Sequence, residues 1–316
     1  MEILNDINQP KRCKYCGSFH VRRYGHYKGV QRLFCNVCKR KFVDNQALPG
    51  MKTPADQIDS AVNTYYEGLS LNAVRRNLQQ TYNNYPSDST VYAWLTRYTK
   101  EAIKVADEFH PQVGAQWVVD ETVIHKNWGG RKRRLWLIDI IDTDTRFLLS
   151  TKLSRNRNKE DIKVLMEKAR EKAGKAPKEV WSDGWGGYRD GIELAFGSET
   201  KHVVTTPFGD ADSSSTLIER WHGTLKDRTK IMRGLKTKDS AQLLLDGWLI
   251  HYNYFRPHEG LDGKTPAEKA KVQLPFKNWL DVVKMPQARI TPMTKAPRIN
   301  QTRAILPHRK VFPLRG

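Results

Sequence analysis

The chain has 316 residues, with 54 Lys and Arg against 34 Asp and Glu, a formal net charge of +20. That length implies about two domains or more and allows a full hydrophobic core without disulfide staples. A charge excess of this size gathers polyanions, with nucleic acid the first expectation and an anionic membrane the second. The membrane reading is weak. The best apolar run, at 243–250, is interrupted by Asp246 and falls far short of the roughly 18 residues a spanning helix requires. Residues 1–10 hold no apolar core that could act as an export signal. With 39% hydrophobic and 10% aromatic residues, the composition is not that of a disordered chain. Secreted, membrane-spanning and fibrous proteins are excluded.

The four cysteines fall into two C-x-x-C pairs, Cys13 with Cys16 and Cys35 with Cys38, separated by 18 residues. Each turn aims two thiolates at one point, and two such knuckles complete a tetrahedron around one structural Zn²⁺. Lys14, Arg12, Lys39 and Arg40 stand nearby to favour the thiolates. Two disulfides, or plain burial, are the alternatives. His20 and His26 lie between the pairs, but four cysteines leave them no ligand role. Short alternating strands around Gly25 and Gly29 suggest a zinc ribbon. Its basic cluster (Arg22, Arg23, Lys28, Arg32, Lys39, Arg40, Lys41) suits nucleic acid, with an ordinary solvated face as the alternative.

Three short helices are expected next. The first, at 52–67, carries Ile58, Val62 and Tyr65 or Tyr66 at helical spacing and stops at Gly68. The second opens at Ser70 or Leu71 with Val74 and Leu78 on one face. The third runs over 88–107, with Val91, Leu95 and Tyr98 on one side. Helix, tight turn, then a helix with polar residues at its start is the layout of a helix-turn-helix reader. Ser87, Ser89, Thr90, Tyr92 and Arg97 are the side chains that could reach groove edges or phosphates. Any small three-helix bundle would show the same periodicity.

From Gln116 the pattern changes to strands, at 116–121, 135–141 and 147–153, then an amphipathic helix at 159–173. A fourth strand, 179–182, ends in Asp183. A helix at 188–196, a fifth strand at 202–205 and a helix at about 214–228 complete a mixed α/β pattern. Asp120 closes the first strand, Asp183 closes the fourth, and Glu219 sits on the last of these helices. Three carboxylates brought to one point repel unless a cation compensates them. Mg²⁺ or Mn²⁺, hard ions with oxygen ligands, are the natural compensation. Two such ions about 3.5–4 Å apart suit in-line displacement at phosphorus. Strand-end, turn and ordinary helix acids are the separate alternatives for the three. Glu121 is the main rival to Asp120, although adjacent strand residues point to opposite faces. Asp139 lies inside a strand. Trp185 and Trp221 could stack on unpaired bases or pack in the core.

At these residues the chain resembles the DDE transposases of prokaryotic insertion sequences, in the ribonuclease-H-like integrase superfamily. The matching stretches are WVVDET around Asp120, WSDGWGGY around Asp183, STLIERWHGTLKDRTK around Glu219 and HYNYFRPHEGL at 251–261. Lys226, seven residues after Glu219 and two helical turns along the same face, also follows the family pattern. The resemblance covers about residues 10–280. It implies that Asp120 and Asp183 bind Mg²⁺ or Mn²⁺ with Glu219 as third ligand, two ions per site, and that Lys226 holds DNA near them. It further implies binding to the ends of an element (its terminal inverted repeats), strand cleavage, strand transfer into target DNA, and a homodimer or larger homo-oligomer.

The expected fold is multidomain α/β. A zinc ribbon (1–50) and a helix-turn-helix domain (51–110) precede a ribonuclease-H-like catalytic core with a mixed five-stranded sheet (111–283). A basic, proline-rich extension follows (284–316), with eight Lys or Arg, five Pro and no acid. A helix at 237–255 should pack on the sheet, with His251, Arg256 and His258 structural or DNA-contacting. The expected location is the cytoplasm of a prokaryotic cell, at the nucleoid. A transposase-derived DNA-binding regulator without catalysis, and a metal-dependent nuclease that never joins ends, are the competing readings.

Overall fold

Two turns of the same geometry open the described chain. The computed structural model describes residues 11–27, 29–44, 51–128, 131–205, 213–231 and 237–285. Lys28 and nearly all of the basic extension, from residue 286 onward, lie outside them. In each C-x-x-C turn the residue after the second cysteine enters the left-handed region, Gly17 at φ 74° and Lys39 at 58°. Their N–H groups donate to Cys13 O (2.8 Å) and Cys35 O (2.9 Å). Cys13 N and Cys35 N donate in turn to Ser18 O (2.8 Å) and Arg40 O (3.0 Å). Between and after the knuckles run β1 (Val21–Tyr27), β2 (Val30–Cys35) and β3 (Lys41–Val43), antiparallel in that order. Alternation along the strands sends Leu33, Cys35 and Phe42 into a small core with Cys13.

The three expected helices form as α1 (Ala55–Tyr66), α2 (Leu71–Tyr82) and α3 (Asp88–Ala106). Their ends follow from local chemistry. The Ser70 side chain accepts from Ala73 N and Ser87 from Thr90 N, while Asn83 ends α2 in the left-handed conformation.

The centre of the chain builds a five-stranded sheet from β4 (Gln116–Trp128), β5 (Arg131–Asp142), β6 (Leu148–Ser154), β7 (Glu179–Ser182) and β8 (Lys201–Val204). Its order is β6-β5-β4-β7-β8. The first three are antiparallel, and β7 and β8 run parallel to β4. The helices are α4 (Lys159–Ala173), α5 (Gly186–Phe196), α6 (Ser213–Ile231), α7 (Lys238–Ile250), α8 (Pro266–Lys269) and α9 (Trp279–Lys284). This is the mixed five-stranded sheet with helices that the sequence pattern led us to expect. The largest departures from expectation are in one hairpin: β4 does not stop at Glu121, and β5 begins at Arg131 rather than at 135. Strand β4 stays paired with β5 out to Trp128 opposite Arg131, so Asp120 lies within a strand. The added residues of β4, 122–128, pair with 131–137 of β5, which opens on the basic run 131–134. That run reads as loop, yet backbone pairing carries both strands on as a hairpin arm.

Helix α7 continues into a wider π turn, His251–Phe255. There the buried Asn253 amide clamps β6 at its first residue, accepting from Leu148 N and donating to Leu148 O, both at 2.9 Å. Buried residues from Ala55 to Val283 form one continuous apolar cluster, so α1–α3 share their core with the sheet and its helices. Tyr66 of α1 stacks on Trp279 of α9, ring centroids 5.1 Å apart and planes 14° apart, and bonds Thr99 Oγ1 of α3. Gly247 permits the close approach of α7. A Cβ there would lie 2.0 Å from the Tyr66 hydroxyl.

Candidate functional site

Register places the first two acids. In the parallel pair β4–β7, Val118 stands opposite Trp181. Asp120 and Asp183 are each two residues further on, which makes them neighbours where β7 ends. Across the antiparallel pair β4–β5, Asp120 stands directly opposite Asp139, so these two carboxylates share a face. Helix α6, packed on β4, brings His222 between them. Its Nε2 lies 3.1 Å from Asp139 Oδ2, and its Nδ1 lies 3.5 Å from Asp120 Oδ2. Burial works against a charged imidazole here, but the hydrogen bonds and charges of Asp120 and Asp139 outweigh it and push His222 up to about 9. Glu219, one turn earlier on α6, is exposed.

Glu121 points the other way, as alternation requires. Its buried carboxylate pairs with Arg157 and accepts from the Tyr188 hydroxyl. The same guanidinium reaches Asp183 at 3.2 Å and lies 4.1 Å over the Trp185 ring. Burial raises the Glu121 carboxyl, opposed by Tyr188 and Arg157 and reinforced by the charges of Asp120 and Asp183. Asp183 also accepts from Trp185 N at 2.9 Å, the turn that leads into α5. The three acids named from sequence thus gather on β4, after β7 and on α6 without closing on one point. Among the described residues, the four cysteines are the only group of three or more such ligands whose donor atoms lie within 4.8 Å of one another.

The cysteine group fits zinc. Cys13 Sγ and Cys38 Sγ are 3.6 Å apart, as are those of Cys16 and Cys35, and all four thiols are free. A regular tetrahedron with the usual zinc–sulfur bond spaces its sulfurs by about 3.8 Å. Hydrogen bonds from Cys38 N and Val37 N outweigh burial and hold the Cys35 thiol down to about 6.

The ribbon's register sorts its basic residues. Arg22 stands opposite Phe34, and Phe34 opposite Lys41, whereas Arg23 stands opposite Leu33 on the cysteine side. On the first face Tyr24 is ringed by cations: Lys41 Nζ at 4.2 Å, Arg32 at 5.6 Å and Arg22 at 5.9 Å from its centroid. Arg22 also covers Phe34 at 5.0 Å. Arg40 lies elsewhere, over Tyr15 at 4.9 Å. In α3, Ser89 and Thr90 both hydrogen-bond Ser87 within the cap, and Arg97 lies half-buried against Tyr98. Lys226 is exposed on α6.

Sequence reasoning left Trp221 open between bases and core, and the structure puts it in the core. It is 4% exposed, packs against Tyr252 and Trp248, and donates to Asp139 at 3.0 Å. His251 is structural, since its Nε2 faces Glu67 at 3.0 Å and its Nδ1 accepts from Trp279 at 3.2 Å. Sequence reasoning missed His222 and Arg157. Asp139, flanked on both sides by apolar residues in the run LWLIDIID (residues 135–142), was the available signal for a buried partner such as His222. Nothing in the basic loop before α4 singled out Arg157.

Residues 114–258 match the family model described as a DDE domain. No curated protein matched the chain in the sequence comparison. Among solved structures, a chain of the simian T-cell lymphotropic virus intasome bound to the PP2A regulatory subunit B56 gamma is 16% identical, with a TM-score of 0.40. The match takes in 52% of this chain and 57% of that one, little more than half its length. The HTLV-2 integrase catalytic core with magnesium, in its trimeric form, is 16% identical at a TM-score of 0.37, over 51% of this chain and 98% of that one. The BIV integrase catalytic core is 18% identical at 0.38, over 50% and 94%.

Proposed function

Because residues 114–258 match a DDE-domain family model, we propose that the chain is a DNA transposase that binds the ends of its element and catalyses phosphodiester cleavage and strand transfer. The observation that carries this reading is the register that makes Asp120 and Asp183 neighbours, with Glu219 on the helix packed against β4. Their oxygens are hard donors at least partly open to solvent, a set that suits Mg²⁺ or Mn²⁺. Asp120, Asp183 and Glu219 would hold these ions, which when bound offset charge on the reacting phosphate and favour ionisation of the attacking group. A water attacks phosphorus and releases a 3′-hydroxyl, and that hydroxyl then attacks a phosphodiester of the target. Neither step requires a covalent bond to the protein.

The remaining elements hold DNA. The Tyr24 face of the ribbon (domain 1–50), with Arg22 and Arg32, binds phosphates. Residues 51–110 act as a helix-turn-helix module that presents α3, with Ser89, Thr90 and Arg97. Arg23 and Arg40, on other parts of the ribbon, and Lys226 on α6 add positive charge that attracts DNA without belonging to the Tyr24 face. The active form is a homodimer or larger, because two element ends must be processed together. No described helix is long and apolar enough to cross a membrane.

The test is a gel assay of the full chain with a labelled duplex of the inverted repeat flanking its gene and a plasmid target. Cleavage and joining are expected with Mg²⁺ or Mn²⁺, with binding but little chemistry in Ca²⁺. Ends that are cut but never joined would indicate a nuclease. Absence of cutting under any of these metals would indicate a DNA-binding regulator.

A further inference from the structure

Asp139 is an expensive residue to keep. It is fully buried (0% exposed) in the middle of β5, where an unpaired carboxylate costs several kcal/mol. One oxygen, Oδ2, accepts from both Trp221 Nε1 (3.0 Å) and His222 Nε2 (3.1 Å), two consecutive residues of α6. The other, Oδ1, has no hydrogen-bond partner among the described residues. A carboxylate present only to fasten a helix would be better replaced by an apolar side chain. What Asp139 adds beyond fastening is the orientation of the imidazole. With Nε2 held from β5, the ring turns Nδ1 towards Asp120 Oδ2 at 3.5 Å. His222 is 5% exposed, too enclosed to meet a DNA strand itself.

We propose that His222, anchored on Asp139, is a positioning residue for the acidic site: it fixes one oxygen of Asp120 and leaves the other to a divalent cation. The inference rests on the reading of Asp120 as a metal ligand and deepens it. A histidine anchored on one carboxylate and set against the oxygen of another is the arrangement that biases a ligand's rotamer before metal arrives. The same three-residue span also sets the face of α6 that carries Glu219, because Glu219 lies one turn from His222.

Calorimetric titration of Mn²⁺ into the zinc-loaded full chain tests this without any catalytic readout. His222→Gln keeps one donor but cannot span both carboxylates. Asp139→Asn is nearly isosteric and covers the case in which His222→Gln does not fold. Both should weaken Mn²⁺ binding about 10–100-fold, with unchanged far-ultraviolet circular dichroism. Trp221→Phe removes the other donor to Asp139 but keeps the imidazole, and should leave affinity within about twofold of wild type. Asp120→Asn identifies the site by abolishing the same binding event. Unchanged Mn²⁺ affinity in folded His222→Gln and Asp139→Asn, with loss in Asp120→Asn, would overturn the positioning role alone. Equal loss in Trp221→Phe would reduce it to packing. Wild-type binding unaffected by Asp120→Asn would overturn the metal-ligand reading and this inference with it.

Discussion

Arg157 reaches Asp183 at 3.2 Å while its guanidinium also pairs with the buried Glu121. One cation from the β6–α4 loop therefore joins the strand of one acid to the turn that carries another. Glu121 has a side chain only 8% exposed, against 26% for Arg157, so removing the arginine strands a carboxylate largely away from water. Arg157→Gln should destabilise the fold by about 1–3 kcal/mol, discounted from a fully buried pair for the partial exposure of the guanidinium. Glu121→Gln, which can still accept from Tyr188, should recover part of that loss in the double variant. Chemical denaturation of the four proteins gives the coupling. Strict additivity would show that the pair does not hold the loop.

The ribbon face separates two kinds of basic residue. Arg22→Ala and Arg32→Ala should each lower the slope of log affinity against log salt by about 0.9 for a duplex element end, as one phosphate contact per residue predicts. Arg23, opposite Leu33 on the cysteine side, should change it less. Equal slopes for all three variants would show that register does not choose the DNA face.

One zinc per chain is expected. Four-thiolate coordination is closed, so the metal is structural and leaves no open position for water. Cys13→Ser or Cys35→Ser should lose it and unfold the ribbon, with weaker DNA binding. Elemental analysis of protein purified without chelator checks the stoichiometry, and zinc-free folded protein would contradict it.

Asp246 sets a pH dependence of stability. Burial on α7 is the largest influence and pushes its carboxyl from 3.8 up to about 6, against a hydrogen bond from Gln242 and the charge of Lys168. A carboxyl raised in the folded state stabilises it fully below its unfolded value, and that contribution disappears as pH rises through about 6. Asp246→Asn should therefore raise stability at pH 7.5 by roughly 1–3 kcal/mol and have little effect near pH 4. Thermal unfolding at the two pH values measures this, and an equal shift at both would contradict it.

The order of the strands was legible because each has an apolar run, and α4 matched its apolar stripe from end to end, but the hairpin arm of β4 and β5 beyond those runs was not. Asp183 and Glu219 were read beside a turn and on a helix, as they stand, whereas Asp120 was read at a strand end and lies within β4. The partners of those acids were not legible. The apolar run around Asp139 signals burial, but which side chain meets it depends on the packing of α6, and no local pattern carries that information. The helical segment shows the same limit. Periodicity finds the stripe of Ile58, Val62 and Tyr66 but cannot say what covers it. Here Trp279, some 200 residues away in sequence, stacks on Tyr66, and Gly247 admits α7 against it.

The most direct test of catalysis by the acidic trio is the full chain carrying Asp183→Asn, assayed with a labelled element end and a plasmid target in Mg²⁺ and in Mn²⁺. The substitution keeps shape and removes one charge. Cleavage and joining should fall by orders of magnitude, because the offset of phosphate charge depends on that carboxylate. Binding to the element end should persist or tighten, since one acid fewer repels phosphate. Cleavage and joining at the wild-type rate in Asp183→Asn would contradict the account.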